Sequence, residues 1–183
     1  MLQLRYSLAL IACLLLTVPA MAQPASATEG WPEADSADVG SIDAIIHALY
    51  ETISGPAGQK RDWDRLRSLH HPDARLIPIV KNQQGDVFPL IWTVEQYIER
   101  AGATLEQRGF FEIEIGRKTE TYGYMTHLTS TYESRWTEED EEPFDRGINS
   151  FQLLHDGSRW WIVNVYWNSE RTTGIPIPAM YGG

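Results

Sequence analysis

Apolar residues recur at helical spacing in three parts of the chain, which predicts amphipathic helices over residues 41–53, 62–70 and 93–108. Ser41 and Thr93 stand at the starts of the first and third of these helices, where a side-chain oxygen can accept a backbone N–H. A glycine- and proline-rich stretch follows the first helix, and a His-Pro pair follows the second. Both sequences are typical of helix ends, because a residue before proline disfavours the helical region.

In the second half of the chain the period changes to two, the pattern of half-buried strands. The first of these strands alternates apolar and acidic residues: Phe111, Glu112, Ile113, Glu114 and Ile115. Three more strands are predicted over residues 124–136, 146–154 and 160–168, after an earlier strand over 76–80 and a short apolar stretch over 88–92. Strands that follow a group of helices predict an α+β fold, in which the helices pack on one face of a curved antiparallel sheet.

The two ends of the chain differ in composition from this domain. Residues 1–22 have a short basic start, an apolar segment and an Ala-Met-Ala cleavage pattern, which predicts a signal peptide. Cleavage at Cys13, as in a lipoprotein, is the alternative, although it would leave a leucine run at the start of the product. The domain is predicted over residues 39–170, between a flexible leader over 23–38 and an extended tail over 171–183. A periplasmic or secreted location follows, with no membrane segment after cleavage.

Composition excludes several classes of function. The net charge of −10 disfavours nucleic acid as a partner, because an acidic protein repels phosphates. The sole cysteine lies in the signal peptide, so the mature chain has no disulfide, thiol nucleophile or thiolate metal site. His70 and His71, with Asp73, are interpreted as a helix end, because no third ligand stands at a suitable spacing. No metal and no cofactor are predicted, and no Gly-x-Ser-x-Gly sequence indicates a serine hydrolase.

Several short sequences resemble the nuclear transport factor 2-like superfamily, which includes SnoaL-like polyketide cyclases, ketosteroid isomerase and scytalone dehydratase. They are Asp62-Trp63-Asp64-Arg65-Leu66, His71-Pro72-Asp73-Ala74, Gly147-Ile148-Asn149-Ser150-Phe151 and Asp156-Gly157-Ser158-Arg159-Trp160-Trp161. The chain is especially similar to a bacterial exported subgroup with no established activity. The resemblance covers about residues 41–170. It implies a cone-shaped curved antiparallel sheet with three N-terminal-side helices packed on its concave face, and a pocket inside the cone.

The resemblance also allows a test of steroid isomerase chemistry. The catalytic carboxylate of the isomerase falls on Pro78, which carries no proton, so this reaction is excluded. The oxyanion-binding acid falls on Asn149, and the tyrosine of the first helix falls near Leu49 or Tyr50. Asn149 can donate a hydrogen bond but lacks the strength of an acid with a shifted pKa.

An inward-facing Asn149 sets the parity of the neighbouring strands, because alternate residues share a face. On this parity His127 and Glu133 face the pocket as a catalytic base and the group that orients it. The predicted ligand-binding residues are Tyr50, Asn149, Asn164, Tyr166 and Asn168. A satisfied structural hydrogen-bond network is the alternative to both roles. A one-residue slip would also turn His127 and Glu133 outward and bring Leu128, Ser130 and Tyr132 in.

The same parity places an apolar stripe on the outer face of the sheet: Trp161, Val163, Val165 and Trp167. Such a stripe predicts a homodimer interface, with carbohydrate stacking as the alternative. The tail is expected to lie across a neighbour or the pocket mouth.

Three functions follow from these features. The first is an exported small-molecule-binding domain with its pocket in the cone. The second is a cofactor-free lyase, isomerase or hydratase that uses His127 as base. The third is a dimeric interaction module whose pocket is filled by its own side chains. The ligand itself is not indicated by any motif.

Overall fold

A computed structural model describes residue 28 and residues 30–182; the predicted signal peptide lies outside the described residues. The helices are α1 (Ser36–Val39), α2 (Ile42–Ile53), α3 (Trp63–Leu69), α4 (Val94–Tyr97), α5 (Ala103–Arg108) and α6 (Glu170–Thr173). The strands are β1 (His70–Lys81), β2 (Val87–Pro89), β3 (Phe111–Tyr122), β4 (Met125–Arg135), β5 (Asp145–His155) and β6 (Trp160–Ser169). A π-helical segment, Ile98–Gly102, joins α4 to α5, and a 3₁₀ turn, Ala179–Tyr181, lies in the tail.

The six strands form one sheet in the order β2-β1-β6-β5-β4-β3. All neighbours are antiparallel except β1 and β6, which run parallel. A parallel pair needs a long connection, and here residues 82–159, from β2 to β5, lie between the two strands. The α+β class and the cone-shaped sheet with helices on one face are confirmed.

The predicted helix caps are present. The hydroxyl of Ser41 accepts the N–H of Ala44, and Thr93 with Gln96 forms a capping box. The predicted third helix is interrupted by the π-helical segment, where Gly102 packs against the ring of Trp63. A Cβ at Gly102 would lie 2.9 Å from that ring, so the close approach requires glycine.

One layer of side chains joins the helices to the inner face of the sheet. The most buried members of this core include Ile45, Ile46, Leu66, Leu69, Leu128, Phe151 and Ile162. The indole of Trp31, within the predicted leader, donates hydrogen bonds to the carbonyls of Arg67 and His70 at 2.7 and 3.0 Å. The end of the leader therefore packs on the domain.

The tail lies across the outer face of the domain's own sheet. The hydroxyl of Thr131 on β4 donates to the carbonyl of Tyr181 at 2.6 Å, and the ring of Tyr181 lies under the ammonium of Lys118. Ile177 is buried. Within the described part of the chain, no helix has the length and apolar character needed to cross a membrane.

Candidate functional site

A cavity of about 110 Å³ lies between the helices and the inner face of the sheet. Its apolar wall consists of Leu49, Ile53, Leu66, Leu76, Phe110 and Val165, and its polar or aromatic wall consists of His70, Tyr97, Glu112, Tyr132, Asn149 and Trp167. The domain's own side chains leave this volume open. This open volume does not favour the third predicted function, which assumed a pocket filled by the domain's own side chains.

Glu112 is the carboxyl group of this cavity. Its Oε2 accepts a hydrogen bond from the Ser134 hydroxyl at 2.8 Å, and the Asn149 amide lies 3.4 Å from Oε1. Within the described residues no cationic side chain pairs with it. Burial raises the pKa of the Glu112 carboxyl from 4.5 to about 7, with a smaller contribution from the negative charge of Asp145. The two hydrogen bonds act in the opposite direction.

The sequence does not locate Glu112, because a half-buried strand that alternates apolar and acidic residues normally turns its apolar side inward. Its cross-strand partner is Ser134, and the partner of Glu114 is Tyr132. Directly opposed residues share a face, and Tyr132 and Ser134 are buried, so Glu112 turns inward with them. Ile113, in contrast, is exposed. The register of β3 against β4 is the signal that would have located Glu112.

His70 is a second polar group of the cavity, and it is fully buried at 0% exposure. Its Nδ1 lies 2.8 Å from the Leu66 carbonyl, which can only accept, so Nδ1 carries the proton and Nε2 is a bare acceptor. Nε2 is buried without a partner among the described residues. Burial lowers the pKa of His70 to about 4, although the bond to Leu66 acts in the opposite direction, and the ring is therefore neutral.

A chain of hydrogen bonds runs from the cavity wall towards the surface. The Asn149 amide donates to the Tyr50 hydroxyl at 3.0 Å, and Tyr50 and Ser130 are joined at 2.7 Å. Ser130 donates to Glu114 at 2.5 Å. Because Asn149 and Ser130 use their protons in these bonds, Tyr50 must donate to Ser130. Burial, and secondarily the charge of Glu112, raises the pKa of Tyr50.

The predicted pair Tyr50 and Asn149 thus meets beside the cavity, with Asn149 on its wall. The inward positions predicted for His127 and Glu133 are corrected. His127 contacts Ser150 at 3.1 Å on the outer face, and Glu133 forms ion pairs with Arg135 and Arg146. Their neighbours explain the register: Leu128, Ser130 and Tyr132 are buried and take the inner face, as in the slipped alternative.

The other three predicted ligand residues, Asn164, Tyr166 and Asn168, also lie on the outer face. The parity on β6 is right up to Ile162, which is fully buried, and reverses beyond it. Ile162 pairs with Leu153 and Asn164 pairs with Gln152, so Val163 is an extra residue opposite no partner. This β-bulge turns every later side chain to the other face. Val165 and Trp167 consequently line the cavity.

The same bulge removes the predicted outer apolar stripe. Trp167 packs inward, edge-to-face with Tyr97 at 6.4 Å between ring centroids. Trp161 does lie outside but is only 8% exposed, because the guanidinium of Arg159 covers its ring at 3.6 Å. Its indole N–H donates to Asp156 at 2.7 Å. The stripe therefore offers no basis for a dimer interface, and the homodimer itself stays a prediction.

An open groove of about 1120 Å³ adjoins the cavity between α1–α2 and β3. Glu112 lines both spaces, so it stands between the groove and the cavity. The groove is acidic, with carboxylates at Asp38, Asp43, Glu51, Glu114, Glu138 and Asp140 in addition to Glu112. Arg117 and Arg135 are its lining arginines.

No protein-family model and no curated protein matches this chain. Solved structures do. A protein of unknown function with a cystatin-like fold from Nostoc punctiforme is 11% identical at a TM-score of 0.53, over 70% of this chain and 87% of that one. A function-unknown protein from Mycobacterium tuberculosis is 14% identical at a TM-score of 0.52, over 75% and 79% of the two chains.

A nuclear transport factor 2-like protein of unknown function from Silicibacter pomeroyi is 16% identical at a TM-score of 0.46, over 71% of this chain and 93% of that one. The chain has the α+β cone fold that the resemblance implied, and it shares its fold with the Nostoc punctiforme structure. Identities this low show the fold alone, and this fold carries many unrelated functions.

Proposed function

We propose that this chain is an exported small-molecule-binding domain whose ligand occupies the cavity inside the cone. The observation that carries the proposal is an open, mostly apolar cavity lined by His70, whose Nε2 has no partner among the described residues. A buried polar atom without a partner costs free energy, and a ligand donor would remove that cost. An apolar cavity of about 150 Å³ can bind benzene, so about 110 Å³ suits a ligand of up to about six non-hydrogen atoms.

The proposal is tested with a panel of such probes: benzene, cyclopentanol and cyclopentylamine. Binding is followed by calorimetry and by chemical-shift changes of the methyl groups of Leu49 and Val165, which line the cavity. At least one probe is expected to bind and to shift these methyl signals. Probes that bind without moving them, or no binding at millimolar concentration, would contradict the proposal.

A matched pair of variants separates the cavity from the rest of the sheet. Val165→Phe adds volume inside the cavity and is expected to weaken binding at least tenfold. Ile148→Phe is the control, because Ile148 lies next to the inward Asn149 on β5 and so faces outward. Equal weakening by both variants would indicate a general loss of structure.

A cofactor-free acid–base enzyme is the second candidate, and Glu112 favours it. A carboxyl with a pKa of about 7 can take and return a proton near neutral pH, which His127 on the outer face cannot do for a ligand in the cavity. The test is deuterium exchange at the α-carbon of cyclopentanone, followed by NMR. Exchange above the buffer rate that disappears in Glu112→Gln supports the enzyme; exchange unchanged in that variant contradicts it.

A further inference from the structure

Two side chains of the cavity, His70 and Glu112, offer hydrogen-bond acceptors. His70 Nε2 is an acceptor because its partner nitrogen already donates to the carbonyl of Leu66. This side chain is fully buried and lines the cavity, so we infer that a donor to Nε2 would come from the cavity side. A ligand with at least one N–H or O–H donor would satisfy this atom.

Glu112 adds a negative charge to this requirement. Both neighbours that bond its carboxylate, Ser134 and Asn149, are neutral. An ionised carboxylate accepts hydrogen bonds only, and a charge in an apolar wall is costly without a counter-ion. The protein supplies no such counter-ion among its described residues, since none of the ion pairs of the domain includes Glu112. A cationic ligand group would supply it.

The groove beside the cavity also carries negative charge. The adjoining groove presents seven carboxylates, Glu112 included, against two arginines. Several of them are already neutralised: Arg65 pairs with Asp38 and Glu51, and Arg117 pairs with Asp43 and Glu114. Glu138 and Asp140 keep the groove negative after these pairs are counted. A negative groove concentrates cations beside Glu112 and repels anions.

We propose that the ligand is a small organic amine, bound as its ammonium ion with N–H donors on the Glu112 carboxylate and a further donor on His70 Nε2. This proposal rests on the proposed function, because it names the ligand class of the same cavity. An ammonium carries three donors and no acceptor, which matches the acceptors of Glu112 and His70, whereas a hydroxyl carries one donor. A metal ion fits less well: no group of three or more metal-ligating side chains exists among the described residues.

The experiment compares cyclopentylamine with cyclopentanol, two probes of nearly equal size that differ in charge and in donor number. Calorimetry at pH 8 is expected to show cyclopentylamine binding at least about tenfold more tightly, since a hydrogen bond to a charged group exceeds one between neutral groups by this order. In Glu112→Gln this preference is expected to vanish. Glu133→Gln is the matched control, because Glu133 lies on the outer face.

A second measurement is independent of any variant. The ¹⁵N resonance of His70 Nε2 in the wild-type protein reports whether that nitrogen accepts a hydrogen bond. It is expected to move on saturation with cyclopentylamine while the Nδ1 resonance, bonded to Leu66, stays in place. An unmoved Nε2 resonance would overturn the assignment of His70 to the ligand.

The remaining outcomes separate the two proposals. Cyclopentanol that binds as tightly as cyclopentylamine, or a preference that survives Glu112→Gln, overturns the amine and leaves small-molecule binding intact. Failure of both probes and of benzene overturns the amine together with the proposed function. If Glu112→Gln and Glu133→Gln weaken the binding of cyclopentylamine equally, the amine responds to the overall negative charge of the surface. That result also overturns the amine site.

Discussion

Replacing Glu112 with glutamine should remove a pH-dependent penalty on folding. The unfolded carboxyl releases its proton near pH 4.5, whereas the folded one holds it to about pH 7. Between these values the folded state binds more protons than the unfolded state, so the wild-type protein loses stability as the pH rises. Glutamine has nearly the same shape and does not ionise, so Glu112→Gln should lack this loss.

The size of the effect follows from the two pKa values. With 4.5 and about 7, the penalty is about 1 kcal/mol at pH 5 and about 3 kcal/mol at pH 8, because one pKa unit corresponds to about 1.4 kcal/mol. The stability difference between Glu112→Gln and wild type should therefore grow by about 2 to 3 kcal/mol over this range. Other titrating groups are common to both proteins and cancel in the difference.

The assay is urea unfolding followed by circular dichroism at pH 5, 6, 7 and 8. Glu133→Gln controls for the substitution itself, because it removes a carboxylate that is ion-paired on the outer face. The reasoning would be refuted if the free energies of unfolding of wild type and Glu112→Gln differed by the same amount at every pH from 5 to 8. A constant difference would show that the Glu112 carboxyl is as hydrated in the folded protein as in the unfolded chain.

Three further predictions concern other parts of the chain. Asn149→Leu removes the donor to Tyr50, and it should lower the free energy of unfolding by about 1 to 3 kcal/mol in urea titrations, while Asn164→Leu on the outer face should change it less. A homodimer through the outer sheet face should be shifted towards monomer in light scattering by Tyr166→Glu, since Tyr166 is 41% exposed there; a wild-type monomer at micromolar concentration contradicts the dimer. Mass spectrometry of exported protein should find a chain that starts at Gln23 without lipid, and a diacylglycerol on Cys13 would contradict the cleavage site.

Local sequence determined the elements of this protein. The caps at Ser41 and Thr93 and the helical spacing after them were enough to place α2 and the start of α4, because a cap and its helix lie within a few residues. The change to a period of two placed β3 to β6 for the same reason. Asn149 was assigned inward from the resemblance, and the burial of Phe151 and Leu153, which share its parity, agrees with that assignment.

The face that each strand turns inward was decided by contacts distant in sequence. One extra residue, Val163, switches the faces of all later side chains on β6. Val165 and Trp167 therefore line the cavity in place of Tyr166, and no local sequence signal predicts this bulge. On β4 both faces carry polar residues, so the alternation was ambiguous until Tyr132 packed into the core.

The chemistry of the cavity depended on the tertiary structure for the same reason. Glu112 sits in a strand whose alternation favours the opposite face, and its inward position follows from its pairing with Ser134. His70 caps the C-terminal end of α3 and its ring enters the core, where Nε2 has no partner among the described residues. Sequence determines which groups are available through short-range periodicity. Their desolvation, and hence their reactivity, is set by neighbours that only the folded sheet brings into contact.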